Sequence, residues 1–204
     1  MTFKETILQE ALELFHQEGI KELDEPQLLQ KLDISAATYR EMFDSKEDLL
    51  KQMVHFDIQM QKERNIRINK KATNAIEELL MRLEEGIKTL KEMNPAYFID
   101  LMQHYPETWQ IYMNNMDTSS NIETSALINR GVLEGHFRKD LNIQLVTKIM
   151  LEQVRLLINP QIFPPEKFSL SEVFRSIFLY YIRGICSEQG SKMADEHFAK
   201  VNIS

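Results

Sequence analysis

The sequence predicts an all-α protein: an N-terminal three-helix bundle with a helix-turn-helix outline, a long connecting helix and a C-terminal helical domain. Three observations predict it. Apolar residues recur at helical spacing along nearly the whole chain. Runs of alternating β-branched residues bounded by turn residues do not appear. The breakers are few, 6 Gly and 6 Pro in 204 residues, so long helices are uninterrupted.

Helix one is expected over residues 3–18. Thr2 and Glu5 have capping-box spacing, Gly19 is a natural stop, and Ile7, Leu8, Ala11, Leu12 and Phe15 share one face. Helix two starts after Asp24, with Pro26 tolerated in its first turn, and turns Leu28, Leu29 and Leu32 inward. Helix three starts after Ser35 and ends near Phe43; Tyr39, Met42 and Phe43 anchor it to the other two. Helix four starts after Ser45, again at capping-box spacing, and meets no breaker until about Lys70, a length of roughly 37 Å.

Beyond it, a helix is expected over about 73–93, stopped at Asn94-Pro95, then two shorter helices around Pro106. The polar run 114–121 reads as a loop or a frayed junction. A helix follows to about Glu134, where Gly135 stops it. Two further helices cover 142–159 and 169–189, joined by the Pro-rich stretch NPQIFPPEKF, and no internal repeat is visible.

The net charge of −7 is unevenly placed. Residues 1–50 hold 5 Lys/Arg and 12 Asp/Glu, so the entire excess of acid lies there; residues 51–204 balance at 19 of each. Such a segment repels rather than attracts phosphate nonspecifically. A single cysteine, Cys186, excludes an internal disulfide framework and reads as a buried small hydrophobe. No run of about 18 apolar residues exists, and the amphipathic, acid-containing N-terminus is not a signal peptide, so a cytoplasmic protein with no membrane partner is expected.

Catalytic readings find no support. The five histidines (16, 55, 104, 136 and 197) lack metal-ligand spacing, and neither a Gly-rich phosphate loop nor a nucleophile elbow occurs. No enzyme activity, cofactor or metal is expected.

Three segments together resemble the tetracycline-repressor (TetR) family of transcriptional regulators. ILQEALELFHQEGIKEL is similar to the family's opening helix, with Ala11, Leu14, Phe15 and Gly19 in place. DISAATYREMFDSKEDLL matches at Ile34, Ser35, Thr38, Phe43, Ser45, Lys46, Glu47, Leu49 and Leu50. EGHFRKDLN resembles the family's link into its dimerisation helices, with Gly135, Phe137, Arg138, Asp140 and Leu141 in register. The resemblance covers essentially the whole chain. It implies a DNA-binding domain over 1–46 and a helical ligand-binding and dimerisation domain over 47–204. It also implies a homodimer on a double-stranded operator, released by a small ligand.

On that reading Ser35, Ala36, Ala37, Thr38, Tyr39, Arg40 and Lys46 are the DNA-binding candidates: Thr38, Arg40 and Tyr39 toward bases, the two alanines toward thymine methyls, and Lys46 toward phosphate. Departures from the family fall in this segment. Asp33 stands where the turn usually has Gly, Ala36 where a basic residue is common, and Ala37 where Gly is usual. Tyr39-Arg40 replaces Leu-Tyr, and no basic arm precedes helix one. A basic cluster farther along helix four (Lys62, Arg64, Arg67, Lys70, Lys71) is expected to lie roughly 24 Å or more from Lys46, too far to share its duplex.

The aromatic and Met-rich stretch after it fits either ordinary core or a pocket for an apolar or amphipathic ligand. The pocket residues would be Phe56, Met60, Tyr97, Phe98, Met102, Tyr105, Trp109 and Tyr112, with Asp100 and His104 supplying polar contacts. The last two helices are apolar over more than one core-facing stripe. Val146, Ile149, Met150, Val154 and Leu157, with Phe174, Ile177, Phe178 and Tyr181, therefore make either a dimer face or a pair buried within one monomer. The rival to a regulator is a dimeric helical sensor or interaction module whose degenerate reader no longer binds DNA.

Overall fold

The computed structural model describes residues 1–200. Its helices are α1 (Phe3–Glu18), α2 (Glu25–Lys31), α3 (Ala36–Met42), α4 (Lys46–Lys71), α5 (Ala75–Glu92), α6 (Ala96–His104), α7 (Pro106–Asn115), α8 (Asn121–Leu133), α9 (Ile143–Leu157), α10 (Leu170–Ile185) and α11 (Glu188–Lys200). The polar run expected as a loop is instead a π-helical turn, Met116–Ser120, that carries α7 into α8. Packing divides the described residues into two compact units: Met1–Glu63 with Glu92–Asn115, and Arg64–Lys91 with the described residues that follow Asn115.

In the first unit the expected caps form. Thr2 and Glu5 exchange hydrogen bonds across the first turn of α1, and Asp24 and Gln27 do the same for α2. Ser35 Oγ accepts the Thr38 N–H at the start of α3, and Ser45 Oγ accepts the Asp48 N–H at the start of α4. These caps satisfy amides that helix geometry leaves unpaired. Ile7, Leu8, Ala11, Leu12 and Phe15 are buried as the spacing requires, together with Leu28, Leu32, Tyr39, Phe43, Leu49 and Leu50. Asp33 takes the left-handed conformation (φ 49°), the geometry a turn glycine would supply. Gly19 stops α1 at φ 85°, and a Cβ there would lie 3.2 Å from the Ala96 methyl, so the site needs glycine on both counts.

The second unit encloses a core of Ile76, Leu80, Ile128, Phe137, Met150, Phe178, Ile182 and Ala194. Phe137 lies so close to Gly131 that an added Cβ would fall 2.1 Å from its ring. Glu78 is buried but fully engaged, with Arg82, Arg130 and Asn69 each 2.6 Å from its carboxylate. A charge this deep is tolerable only when paired in this way.

The chain does not end on α10. At Cys186 the helix breaks, Phe137 and Cys186 form an isolated β-bridge, and Ser187 starts α11 by accepting the Gly190 N–H. Burial pushes the Cys186 thiol up to about 12, in keeping with a packed hydrophobe rather than a reactive thiolate.

Candidate functional site

The first candidate site is the face of α3. Ser35, Ala36, Ala37 and Arg40 are exposed and Thr38 is half-buried, its hydroxyl 2.8 Å from that of Ser35. Two of the expected DNA contacts are elsewhere. Tyr39 is turned into the bundle, 1% exposed and 5.3 Å from the Phe43 ring, and burial, then Glu25 and Asp48, push its phenol up to about 12. It is an anchor of α3, packed against the bundle while Ala36, Ala37 and Arg40 are exposed.

Lys46 is likewise occupied. Its ammonium donates to the carbonyls of Ile20, at 2.7 Å, and Leu23, and lies over the Phe15 ring. Burial lowers its pKa, while Asp100 and Asp24 pull it back up. Lys4 is also held inward, donating to the Met42 carbonyl at 3.1 Å, and Lys31 pairs with Glu18. Of the five cations in residues 1–50, Arg40 and Lys21 remain without such a tie.

The second candidate is the aromatic cluster of α4, α6 and α7. The Tyr112 hydroxyl donates to Asp57 Oδ2 at 2.6 Å, so the Tyr97 hydroxyl, 3.0 Å away, must donate to Tyr112. Burial, then the Asp57 charge, raises both phenols above their ordinary range. Tyr97 meets the His16 ring edge-on at 4.5 Å, Phe98 at 5.3 Å, and Phe98 meets Trp109 at 6.3 Å. Tyr97, Phe98, Trp109 and Tyr112 are thus brought together. Phe56, Met60, Met102 and Tyr105 are half-buried in the same unit.

The polar pair expected for this pocket does not serve it. Asp100 Oδ2 accepts the N–H groups of Ile20 and Lys21, both at 2.8 Å, which ties α6 to the loop between α1 and α2. His104 is exposed at the end of α6. In their place stand Asp57, which also accepts from Gln61 at 2.9 Å, and His16. His16 is half-buried, its Nε2 is buried and unpartnered, and burial lowers its pKa to about 4. Asp57 was legible as an acid on the same face of α4 as Met60 and Gln61; His16 sat in the opening helix with nothing to link it to Tyr97.

The third is the apolar surface of α9 and α10. Met150, Leu157 and Phe178 are buried in the protomer, so they leave the expected dimer face; Val146, Val154, Phe174, Ile177 and Tyr181 are half-buried. Tyr181 donates to the Val146 carbonyl at 2.6 Å. On the same helix as Val146, Arg155 is half-buried, 2.7 Å from Asp117. What faces outward is Leu145, Ile149 and Leu156 on α9, and Tyr180, 70% exposed, with Gly184 on α10. This stripe lies opposite the core-facing side of each helix.

No protein-family model matches the sequence, and no curated protein matches it. Solved structures do. A TetR-family transcriptional regulator from Agrobacterium tumefaciens superposes with a TM-score of 0.72 at 17% identity, over 90% of this chain and 98% of that one. A TetR transcription regulator from Haloarcula marismortui gives 0.68 at 17%, over 90% and 98%. The fatty acid degradation regulator FadR from Bacillus halodurans gives 0.67 at 16%, over 89% and 95%. At these identities the likeness is one of fold: the chain has the all-helical fold of the TetR-family regulators.

Proposed function

We propose that this chain is a TetR-family transcriptional regulator, a homodimer that reads an operator with α3 and responds to a small apolar or amphipathic ligand. Residues 1–46 are the DNA-binding part and 47–204 the ligand-binding and dimerisation part. The observation that carries the reading is the likeness of fold over about nine-tenths of the chain to proteins that are themselves described as transcriptional regulators.

Four features support its parts. The exposed row Ser35, Ala36, Ala37 and Arg40 supplies a small surface for a major groove. The Tyr97–Tyr112–Asp57 chain puts polar groups among aromatic side chains, the composition of a ligand site. Asp100 gives α6 a direct hold on the loop that positions α2 and α3, so a ligand that moves α6 moves the reader. The outward stripe of Leu145, Ile149, Leu156 and Tyr180 supplies the apolar area a symmetric dimer buries.

A second reading, a dimeric helical sensor without DNA affinity, is favoured by one observation: Lys4 and Lys46 spend their ammonium groups on backbone carbonyls, in a segment of charge −7. Electrophoretic mobility of the chain's own upstream DNA across a salt series separates the two. A regulator retards it at low salt with a shallow salt slope, because few cations meet phosphate. No retardation at any salt, with or without lysate small molecules, leaves the sensor.

A further inference from the structure

The basic end of α4 has no part in the reading above. Arg64, Arg67 and Lys71 stand at i, i+3 and i+7 and so share one face of the helix within roughly 11 Å of rise. With Ile68, Met81 and Glu85 they line a cleft of about 320 Å³ between α4 and α5, wholly inside the second unit. None of the three cations forms an ion pair or hydrogen bond among the described residues. In the same unit Arg82, Arg130, Lys148 and Arg155 all have carboxylate partners.

Helix formation does not explain the row. Like charges three and four residues apart repel and destabilise a helix. The dipole at the C-terminus favours cations only in the last turn, which accounts for Lys70 and Lys71 but not for Arg64 and Arg67. The cleft has an apolar side as well, Ile68, 7% exposed, and the half-buried Met81. Guanidinium forks match phosphate oxygens two at a time, and an ammonium adds a third point of charge. A thioether adapts to an irregular apolar group.

We propose that this cleft binds a small phosphorylated amphipath, its phosphate held by Arg64, Arg67 and Lys71 and its apolar part against Ile68 and Met81. Glu85 faces the same space; it accepts a hydrogen bond from a hydroxyl of the ligand and disfavours a second phosphate. The site does not depend on the regulator reading, since none of its residues belongs to the first unit.

The test is calorimetric titration of the full-length protein with octyl phosphate below its micelle concentration, at about 0.15 M salt, where surface attraction is screened. One saturable site is expected, with affinity falling about tenfold or more in Arg64→Gln/Arg67→Gln, the worth of a charge-assisted hydrogen bond. Lys139→Gln/Lys167→Gln, the same loss of charge at exposed positions elsewhere in the unit, should leave it unchanged. Inorganic phosphate should bind more weakly. Absence of saturable binding, equal loss in both double variants, equal affinity for inorganic phosphate, or a 20-base-pair duplex that binds through Arg64 and Arg67 in preference to octyl phosphate would each overturn the assignment. Operator retardation by Arg64→Gln/Arg67→Gln should match that of the unaltered chain, so failure of this site and failure of the regulator reading register in different assays.

Discussion

Asp100 Oδ2 accepts the backbone N–H of Ile20 at 2.8 Å, and the neighbouring Lys21 N–H reaches the same oxygen at the same distance. One carboxylate oxygen on α6 therefore holds the loop on which α2 and α3 follow. Asp100→Ala removes the acceptor and leaves two amides unpaired, one of them buried, and should cost about 2–4 kcal/mol of stability. Asp100→Asn keeps an oxygen there and should cost less. Urea denaturation measures both; a loss under 1 kcal/mol for the alanine variant, about that of an ordinary surface change, would show that the bonds contribute little.

His16 makes stability depend on pH. Its pKa falls from 6.5 to about 4 in the folded chain, because burial against Tyr97 penalises the charged ring. The unfolded chain therefore binds more protons between these values. The folded state is fully favoured above pH 6.5 and loses stability as pH falls toward 4, by on the order of 2 kcal/mol. His16→Phe should flatten that window in thermal melts taken between pH 7 and 4. An unchanged slope in the variant would place the effect in other groups.

Asp33 occupies a conformation with φ 49°, which costs a side chain that glycine does not carry. Its side chain is exposed, so little packing is lost on replacement. Asp33→Gly should stabilise the protein by about 0.5–1 kcal/mol, seen as a higher denaturation midpoint. A destabilised variant would mean that the Asp33 carboxylate contributes more than the backbone strain costs.

The outward and inward residues of α9 should separate in mutagenesis. Ile149→Glu with Leu156→Glu changes exposed positions and should turn a dimer into a folded monomer of 24.1 kDa by light scattering. Leu157→Ala, at a buried site, should cost about 2–5 kcal/mol of stability whatever the oligomeric state. If the unaltered protein already runs as a monomer, the dimer reading fails.

Tyr112→Phe removes the donor to Asp57 and the acceptor for Tyr97 in one change. With both groups in a buried setting, it should cost about 1–3 kcal/mol, more than the same change at the exposed Tyr180. Equal effects at the two positions would mean that water already satisfies the cluster.

The starts of the first three helices were legible because each is written in one or two local residues. Thr2 with Glu5, Asp24 with Gln27, and Ser35 cap the helices they precede, and the apolar spacing of Ile7, Leu8, Ala11 and Phe15 faces the core as periodicity requires. The likeness of fold was legible too, since it lies in the order of such segments. The functional surfaces were less so. A side chain's role there depends on which partner it meets, and Asp100 meets amides 79 and 80 positions away. α11 was missed because its start, Ser187, lies next to an apolar helix that local pattern extends straight through it.

Local chemistry thus carried the helical class, the caps and the acidity of residues 1–50. Packing assigned the individual roles: Tyr39 and Lys46 to the interior of the bundle, Met150, Leu157 and Phe178 to the protomer core, Leu145, Ile149 and Tyr180 to the outside. The physical reason is that caps and periodicity act over three or four residues. Whether an apolar or charged side chain faces its own core, a backbone carbonyl or open solvent depends on helices brought together from distant parts of the chain.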